Sequence, residues 1–166
     1  MTTTSTKPMI ALETKEMADM LFAATQEVFV SMLGSEIHQL PEAEPERSAL
    51  FDGVVSVIGL AGPVIGNGIF ACSAGAACDL SSRFLIAEFS AVDEQVLDAV
   101  GEITNMIVGG FKNLLESITG QLQMSIPTVM YGKNITSRSS QADLAVVVRC
   151  AFAGGECELT VRLAAA

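Results

Sequence analysis

An amphipathic stretch from Asp93 to Thr119 restricts the fold of this chain more than any other feature of its sequence. Apolar side chains recur in it every three or four residues, which predicts one long helix with a continuous apolar face. The residues of that predicted face are Leu97, Val100, Ile103, Ile107, Phe111 and Leu114. Gly120 follows directly and predicts the end of the helix. Because a single helix cannot bury its own apolar face, the chain must supply a second layer that packs against it.

The most apolar part of the sequence, residues 54–71, supplies candidate strands for that second layer. Glycines interrupt it too often for a membrane-spanning helix, and they favour a hairpin instead. We predict two paired strands, at residues 50–60 and 63–72, which are joined by a turn near Ala61-Gly62. Asn67-Gly68 is a competing position for the turn, or the position of a β-bulge.

The rest of the chain predicts further helices and strands. Helical periodicity at residues 14–33, followed by Gly34, predicts a first helix, and residues 74–87 predict a shorter one. Residues 40–47 are polar and predict a loop. β-Branched residues alternate with polar ones in three later segments, which predict strands at residues 125–131, 143–152 and 157–163. This order of elements predicts an α+β domain in which helices cover an antiparallel sheet.

Composition narrows the classes of function. The chain has 166 residues, a formal net charge of −10 and no basic run, so we expect no nucleic-acid partner. Residues 1–8 are rich in threonine and predict a disordered tail, while residues 9–166 have the size of a single domain. No targeting or membrane-spanning segment is recognised, which makes a cytoplasmic protein without membrane contact the expectation. With one histidine and four cysteines that form no C-x-x-C pair, we expect no metal site and reduced, buried thiols.

Three polar side chains share one stripe of the long helix. Asp98, Glu102 and Asn105 are separated by four and three residues, so they project from the same face. Any solvated helix face carries such residues, and spacing alone favours that explanation. The alternative is that a firmly packed helix presents a carboxylate and a carboxamide, one turn apart, to something outside the domain.

The residues around this stripe carry a resemblance to a known family. The pattern is Asp98-x-x-x-Glu102-x-x-Asn105, followed by Met106, Gly109-Gly110, Lys112 and a segment from Ser125 through Pro127 to Gly132. This pattern resembles the phosphatase signature of the bacterial CheC/CheX/FliY chemotaxis proteins. Residues 54–73 are also similar to the central hairpin of CheX-type proteins, and the presence of a single motif places the chain nearest to that branch.

The resemblance implies a phosphatase that hydrolyses the aspartyl phosphate of a response-regulator receiver domain in chemotaxis. In that family the Glu of the motif pairs with a Lys of the receiver and the Asn holds the attacking water, which implies these roles for Glu102 and Asn105. An aspartyl phosphate has a good leaving group, so the positioning of a water molecule contributes most of the rate gain. A carboxamide suits that task because it both donates and accepts hydrogen bonds.

The other residues of the pattern receive smaller roles. Asp98, Met106, Gly109 and Lys112 are candidates for supporting or partner-contacting positions. Each glycine within a helix costs roughly 1 kcal/mol relative to alanine, so Gly109 indicates either close packing or a bare surface for an approaching partner. Pro127 is predicted to be structural, at the first residue or edge of a strand.

The resemblance also implies the partners of the chain. The first is a phosphorylated CheY-like receiver, which would bind Mg2+, while this chain would bind no cofactor. The second is another copy of this chain, which would pair with it through the sheet to form a homodimer. The implied fold has internal pseudosymmetry, yet neither of the other predicted helices contains Glu-x-x-Asn, so we expect one site per chain. The competing hypothesis is a non-catalytic receiver-binding or flagellar-switch module of the same fold.

Overall fold

The predicted long helix, hairpin and C-terminal strands are present in the computed structural model, which describes residues 12–42, 48–138 and 142–166. The helices are α1 (Thr14–Met32), α2 (Ala74–Leu85) and α3 (Glu94–Thr119). The strands are β1 (Ile37–Gln39), β2 (Ser48–Ala61), β3 (Val64–Cys72), β4 (Gln123–Met124), β5 (Thr128–Arg138), β6 (Leu144–Phe152) and β7 (Gly155–Ala165). In the described part of the chain, no helix is both long and apolar enough to cross a membrane. The predicted tail at residues 1–8, and most of the predicted loop at 40–47, lie outside the described residues.

The described strands form one antiparallel sheet. Its order is β1-β6-β7-β3-β2, and β4 and β5 both pair with β2 at the far edge. All three helices contribute to the main core on one face of this sheet, where Phe29, Phe70 and Phe111 are among the largest fully buried side chains. A smaller cluster that contains Val55 and Ile69 lies on the other face. This architecture confirms the predicted α+β fold, in which helices cover an antiparallel sheet.

Capping and burial explain α3. The Asp93 side chain accepts a hydrogen bond of 2.9 Å from the backbone N–H of Val96, which satisfies one of the free donors at the start of the helix. Gly120, with a φ of 92°, ends the helix as predicted. Four residues of the predicted apolar face are fully buried: Val100, Ile103, Ile107 and Phe111. The prediction is wrong for Leu114, which is 43% exposed because it borders a surface groove beside Met20 of α1.

The predicted hairpin is formed by β2 and β3, which turn at Gly62-Pro63. Gly62 has a φ of 151°, and a Cβ there would lie 2.8 Å from the carbonyl oxygen of Gln121, so the turn requires glycine. The competing turn or bulge at Asn67-Gly68 is wrong, because both residues pair in regular register with β2. Gly68 instead lets α3 approach the sheet, since a Cβ at Gly68 would lie 2.8 Å from Cγ2 of Val108.

Helix α1 ends where the sequence predicts. Gly34 adopts a φ of 57°, and the backbone N–H of Ser35 donates to the carbonyl oxygen of Phe29 at 3.0 Å. This pairing is typical of a helix terminated by glycine. The chain then enters β1, which the sequence does not predict because a strand of three residues is too short to show alternation.

The edge strand next to β2 differs from its prediction. The sequence predicts one strand from Ser125 to Tyr131, whereas β4 ends at Met124 and β5 begins at Thr128. Pro127 lies between them and has no N–H to donate to a sheet ladder, which explains the break. Beyond Tyr131, β5 continues to Arg138 through mainly polar residues, which an exposed edge tolerates.

Three of the four cysteines form a row across the sheet. Cys150 is in register with Cys157, and Cys157 with Cys72. These three and Cys78 of α2 are free and buried, which confirms the predicted buried thiols. Burial raises the pKa of the Cys72 thiol to about 12, so this side chain stays protonated and weakly nucleophilic near neutral pH.

Candidate functional site

Helix α3 presents the predicted polar stripe at the surface. Asp98 and Glu102 are exposed, and Asn105 is half-buried. Burial of the opposite face fixes the rotation of α3 about its own axis, so the stripe cannot turn inward without exposing that face. Within the described ranges, no residue forms a hydrogen bond or ion pair with the side chain of Glu102 or Asn105. Both groups are therefore available to an external partner.

An open groove of about 600 Å³ runs beside the N-terminal half of α3. Three carboxylates on successive turns of α3 line the groove: Glu94, Asp98 and Glu102. The other lining residues are apolar: Leu97, Gly101, Pro127 and Val129. Such a groove suits a long basic side chain, whose charged head would lie near the carboxylates while its stem packs against Pro127 and Val129. Asn105 lies one helical turn beyond this lining. No group of three or more His, Cys, Asp or Glu side chains in the described ranges is placed to hold a metal ion.

Gly101 determines how closely α3 packs on the wall of this groove. A Cβ at Gly101 would lie 3.2 Å from Cγ2 of Val129 and 3.5 Å from Cγ of Pro127. Gly109 is under less steric demand, since its Cβ would meet only Cε of Met124 at 3.7 Å. The structure thus places Pro127 directly before β5 and also in the groove wall. The sequence predicts the first position and not the second.

Lys112 does not join the groove. Its ammonium group forms an ion pair of 2.7 Å with Oε1 of Glu116, and the same oxygen accepts a hydrogen bond of 2.9 Å from the backbone N–H of Leu122. The pair therefore fixes the chain just after α3. Met106 also has a structural contact, because it packs against the main core beneath the stripe.

The Lys112–Glu116 pair predicts a pH dependence of stability. Lys112, together with the backbone N–H of Leu122, lowers the pKa of Glu116. A lowered folded-state pKa adds stability that is fully present above the ordinary pKa of glutamate and is lost as the pH falls through the folded-state pKa. In urea denaturation we expect wild type to exceed Glu116→Gln by a constant free energy of unfolding above about pH 5, and by less at about pH 3.

The matched control is Asp19→Asn, which breaks the ion pair between Lys15 and Asp19 on the surface of α1. The side chains of Lys15 and Asp19 are 78% and 63% exposed, so solvent screens the pair. The substitution should therefore change the stability of the fold little at any pH. A Glu116→Gln deficit of equal size at pH 3 and pH 7 would contradict the assignment.

The α+β fold agrees with the family that the sequence resembles. The model of the family described as chemotaxis phosphatase CheX matches residues 54–151, which contain the hairpin, α3 and the groove wall. Because this match covers more than half of the sequence, the chain belongs to the chemotaxis phosphatase CheX family.

Individual proteins resemble this chain in sequence or in fold. The CheY-P phosphatase CheX of Thermotoga maritima is 27% identical over 120 residues, which are 72% of this chain and 77% of that protein. A crystal structure of a protein from Desulfovibrio vulgaris Hildenborough has a TM-score of 0.80 at 24% identity, and the match covers 94% of this chain and 99% of that one. The CheX–CheY–BeF3–Mg2+ complex from Borrelia burgdorferi matches with a TM-score of 0.68 at 23% identity, over 88% of this chain and 96% of that one.

Proposed function

We propose that this chain is a phosphatase that hydrolyses the aspartyl phosphate of a receiver domain in chemotaxis signalling. The observation that carries the proposal is the pair Glu102 and Asn105, which stand one turn apart on a firmly packed helix and are not paired within the described part of the chain. Family membership supports the phosphatase activity. A relative named CheY-P phosphatase and the CheX–CheY complex support a CheY-like receiver as the substrate.

Glu102 has the properties of an anchoring carboxylate. It is exposed and lines the groove, so a lysine of the receiver can reach it without rearrangement of this chain. That lysine would neutralise the negative charge of Glu102, which otherwise repels the phosphoryl group. Asp98, one turn earlier in the same groove, would add to the negative potential that the lysine meets. In the complex that we propose, the phosphoryl group would lie on the C-terminal side of Glu102, toward Asn105.

Asn105 has the properties of a water-positioning amide. Its carboxamide oxygen can accept a hydrogen bond from a water molecule, while its NH2 group can donate to a phosphoryl oxygen. The ordered water attacks phosphorus in line as the bond from phosphorus to the aspartyl oxygen breaks. The protons of the water end on the inorganic phosphate, which leaves, and the receiver keeps a free aspartate carboxylate. Half-burial restricts the rotamers of Asn105, so less entropy is lost when the water is ordered. Mg2+ held by the receiver would neutralise charge on the phosphoryl oxygens.

The proposed substrate places the protein in the cytoplasm, where receivers act. We also propose that two copies associate through their sheets as a homodimer. Strands β1 and β5 each pair with only one neighbouring strand in the described sheet, so each leaves backbone groups available at an edge. Light scattering of the purified protein tests the dimer, and a monomeric mass at micromolar concentration would refute it.

One assay tests the proposed function. The chain is mixed with a receiver that has been phosphorylated by a small-molecule phosphodonor in the presence of magnesium, and release of inorganic phosphate is followed. We expect hydrolysis at least about tenfold faster than the self-catalysed loss of phosphate by the receiver alone. A chain that binds the phosphorylated receiver without accelerating hydrolysis would instead be a receiver-binding module.

A further inference from the structure

The groove wall contains an irregularity in the sheet. Strand β2 pairs with β4 at Leu60 and Met124, and with β5 at Val57 and Thr128. Two residues of β2, Ile58 and Gly59, therefore lie opposite three residues, 125–127, of the segment that joins β4 to β5. One extra residue on one side of an antiparallel pair is a bulge, and bulges redirect side chains out of the regular sheet. We refer to residues 125–127 as the groove bulge.

Ser125 fixes the groove bulge to β2. Its backbone N–H donates to the carbonyl oxygen of Gly59 at 2.9 Å, and its Oγ accepts from the backbone N–H of Gly59 at 2.8 Å. The same hydroxyl donates to the carbonyl oxygen of Ile126 at 3.0 Å. The serine hydroxyl thus takes the place of the ladder partner that the bulge removes, and it also holds the peptide that follows. The backbone N–H and the carbonyl oxygen of Gly59 therefore both keep a hydrogen-bond partner where the chain leaves the sheet.

The groove bulge directs two side chains in different ways. Pro127 lines the groove and lies against α3 at Gly101, one residue before the proposed anchor Glu102. Ile126 projects outward and is 85% exposed, although it is large and apolar. A partner that covers this isoleucine would remove its apolar surface from water, and that burial is favourable.

We propose that the groove bulge is a docking element for the phosphorylated receiver, in which Ile126 contacts the receiver and Ser125 is a positioning residue. This inference rests on the proposed function. The charge of the groove selects the occupant, because three carboxylates beside an apolar wall complement a surface with a lysine and neighbouring apolar residues. Ile126 supplies the apolar contact at the rim, and Ser125 keeps Ile126 and Pro127 at a fixed distance from Glu102.

The test compares single variants of the 166-residue chain. Dissociation constants are measured by calorimetry for a receiver activated with beryllofluoride and magnesium, and KM and kcat are measured for the phosphorylated receiver. We expect Ile126→Ala to raise both the dissociation constant and KM about tenfold, with kcat and the melting temperature unchanged. Ser125→Ala should raise KM about fivefold at constant kcat, and Ser125→Thr, which retains the hydroxyl, should restore KM.

Two control variants separate a local effect from a general one. Ile65→Ala removes an isoleucine that is 47% exposed on β3, away from the main-core face, and it should leave KM unchanged. Ser31→Ala removes an exposed serine hydroxyl that bonds to its own helix, α1, and should also leave KM unchanged. The inference would be overturned if Ile126→Ala bound the receiver as tightly as wild type does. It would also be overturned if Ser125→Ala lowered kcat by as large a factor as it raised KM. Wild type that neither binds nor dephosphorylates a receiver would instead refute the proposed function.

Discussion

Replacing Asn105 by alanine is expected to lower kcat for dephosphorylation of the receiver by about a hundredfold or more, with KM close to that of wild type. The amide is proposed to act on the attacking water and to make little contact with the docked receiver. Its removal should therefore affect the transition state and leave the bound ground state unchanged. The substitution should also leave the fold intact, because the side chain of Asn105 is half-buried and forms no hydrogen bond within the described ranges.

Two further variants make this experiment specific. Asn105→Asp keeps the size of the side chain but removes its donor and adds a negative charge, so it should be at least as inactive as Asn105→Ala. Asn113→Ala, at an exposed position two turns further along α3, is the matched control and should retain wild-type kcat. Phosphate release under single-turnover conditions gives the rate of the chemical step directly. Wild-type kcat in Asn105→Ala would show that another group orders the water.

Local patterns are sufficient to predict α3 because its determinants are all close in sequence. The periodic apolar face, the cap at Asp93 and the glycine at position 120 act within the helix itself, and the observed helix begins and ends beside them. The orientation of Glu102 follows from the same periodicity, since a buried face determines which residues lie opposite to it. Membership of the CheX family, which the sequence pattern indicates, is confirmed. The roles of Glu102 and Asn105 stay predictions.

The groove could not be predicted in the same way, because its two walls are distant in sequence. Pro127 and Val129 reach α3 only through the pairing of β5 with β2. The periodicity of α3 or of β5 does not indicate how close these two elements lie in the fold. The structural role of Lys112 could not be predicted either, for a related reason. Helical spacing alone allows a pair with Glu116, but only the return of the chain to Leu122 shows that this pair has a structural task.

The error at Leu114 has a similar physical origin. Helical periodicity assigns Leu114 to the apolar face, but burial requires a neighbouring element as well as a suitable side chain. Leu114 lies at the margin of the contact between α1 and α3, where a groove remains open. Sequence patterns therefore predict which face of a helix is apolar more reliably than where along the helix that face is covered.

Replacing Glu102 by alanine is expected to weaken binding of the beryllofluoride-activated receiver on the order of thirtyfold, and to raise KM by a similar factor. The substitution removes the carboxylate that is proposed to pair with a lysine of the receiver, and it leaves that lysine without a partner in the complex. Turnover at saturating receiver should fall less than in Asn105→Ala, because the water-positioning amide is still present. Glu27→Ala, at an exposed glutamate on α1, is the matched control and should bind as wild type does.

A double-mutant cycle tests the proposed pair itself. If Glu102 contacts the receiver's lysine, replacing that lysine by alanine should weaken binding to wild type strongly, and to Glu102→Ala hardly at all. Raising the salt concentration should weaken wild type more than Glu102→Ala, since screening acts on the attraction that the variant lacks. Additive losses in the cycle would show that Glu102 and the lysine act independently, and docking would then depend on Asp98, Glu94 and the groove bulge.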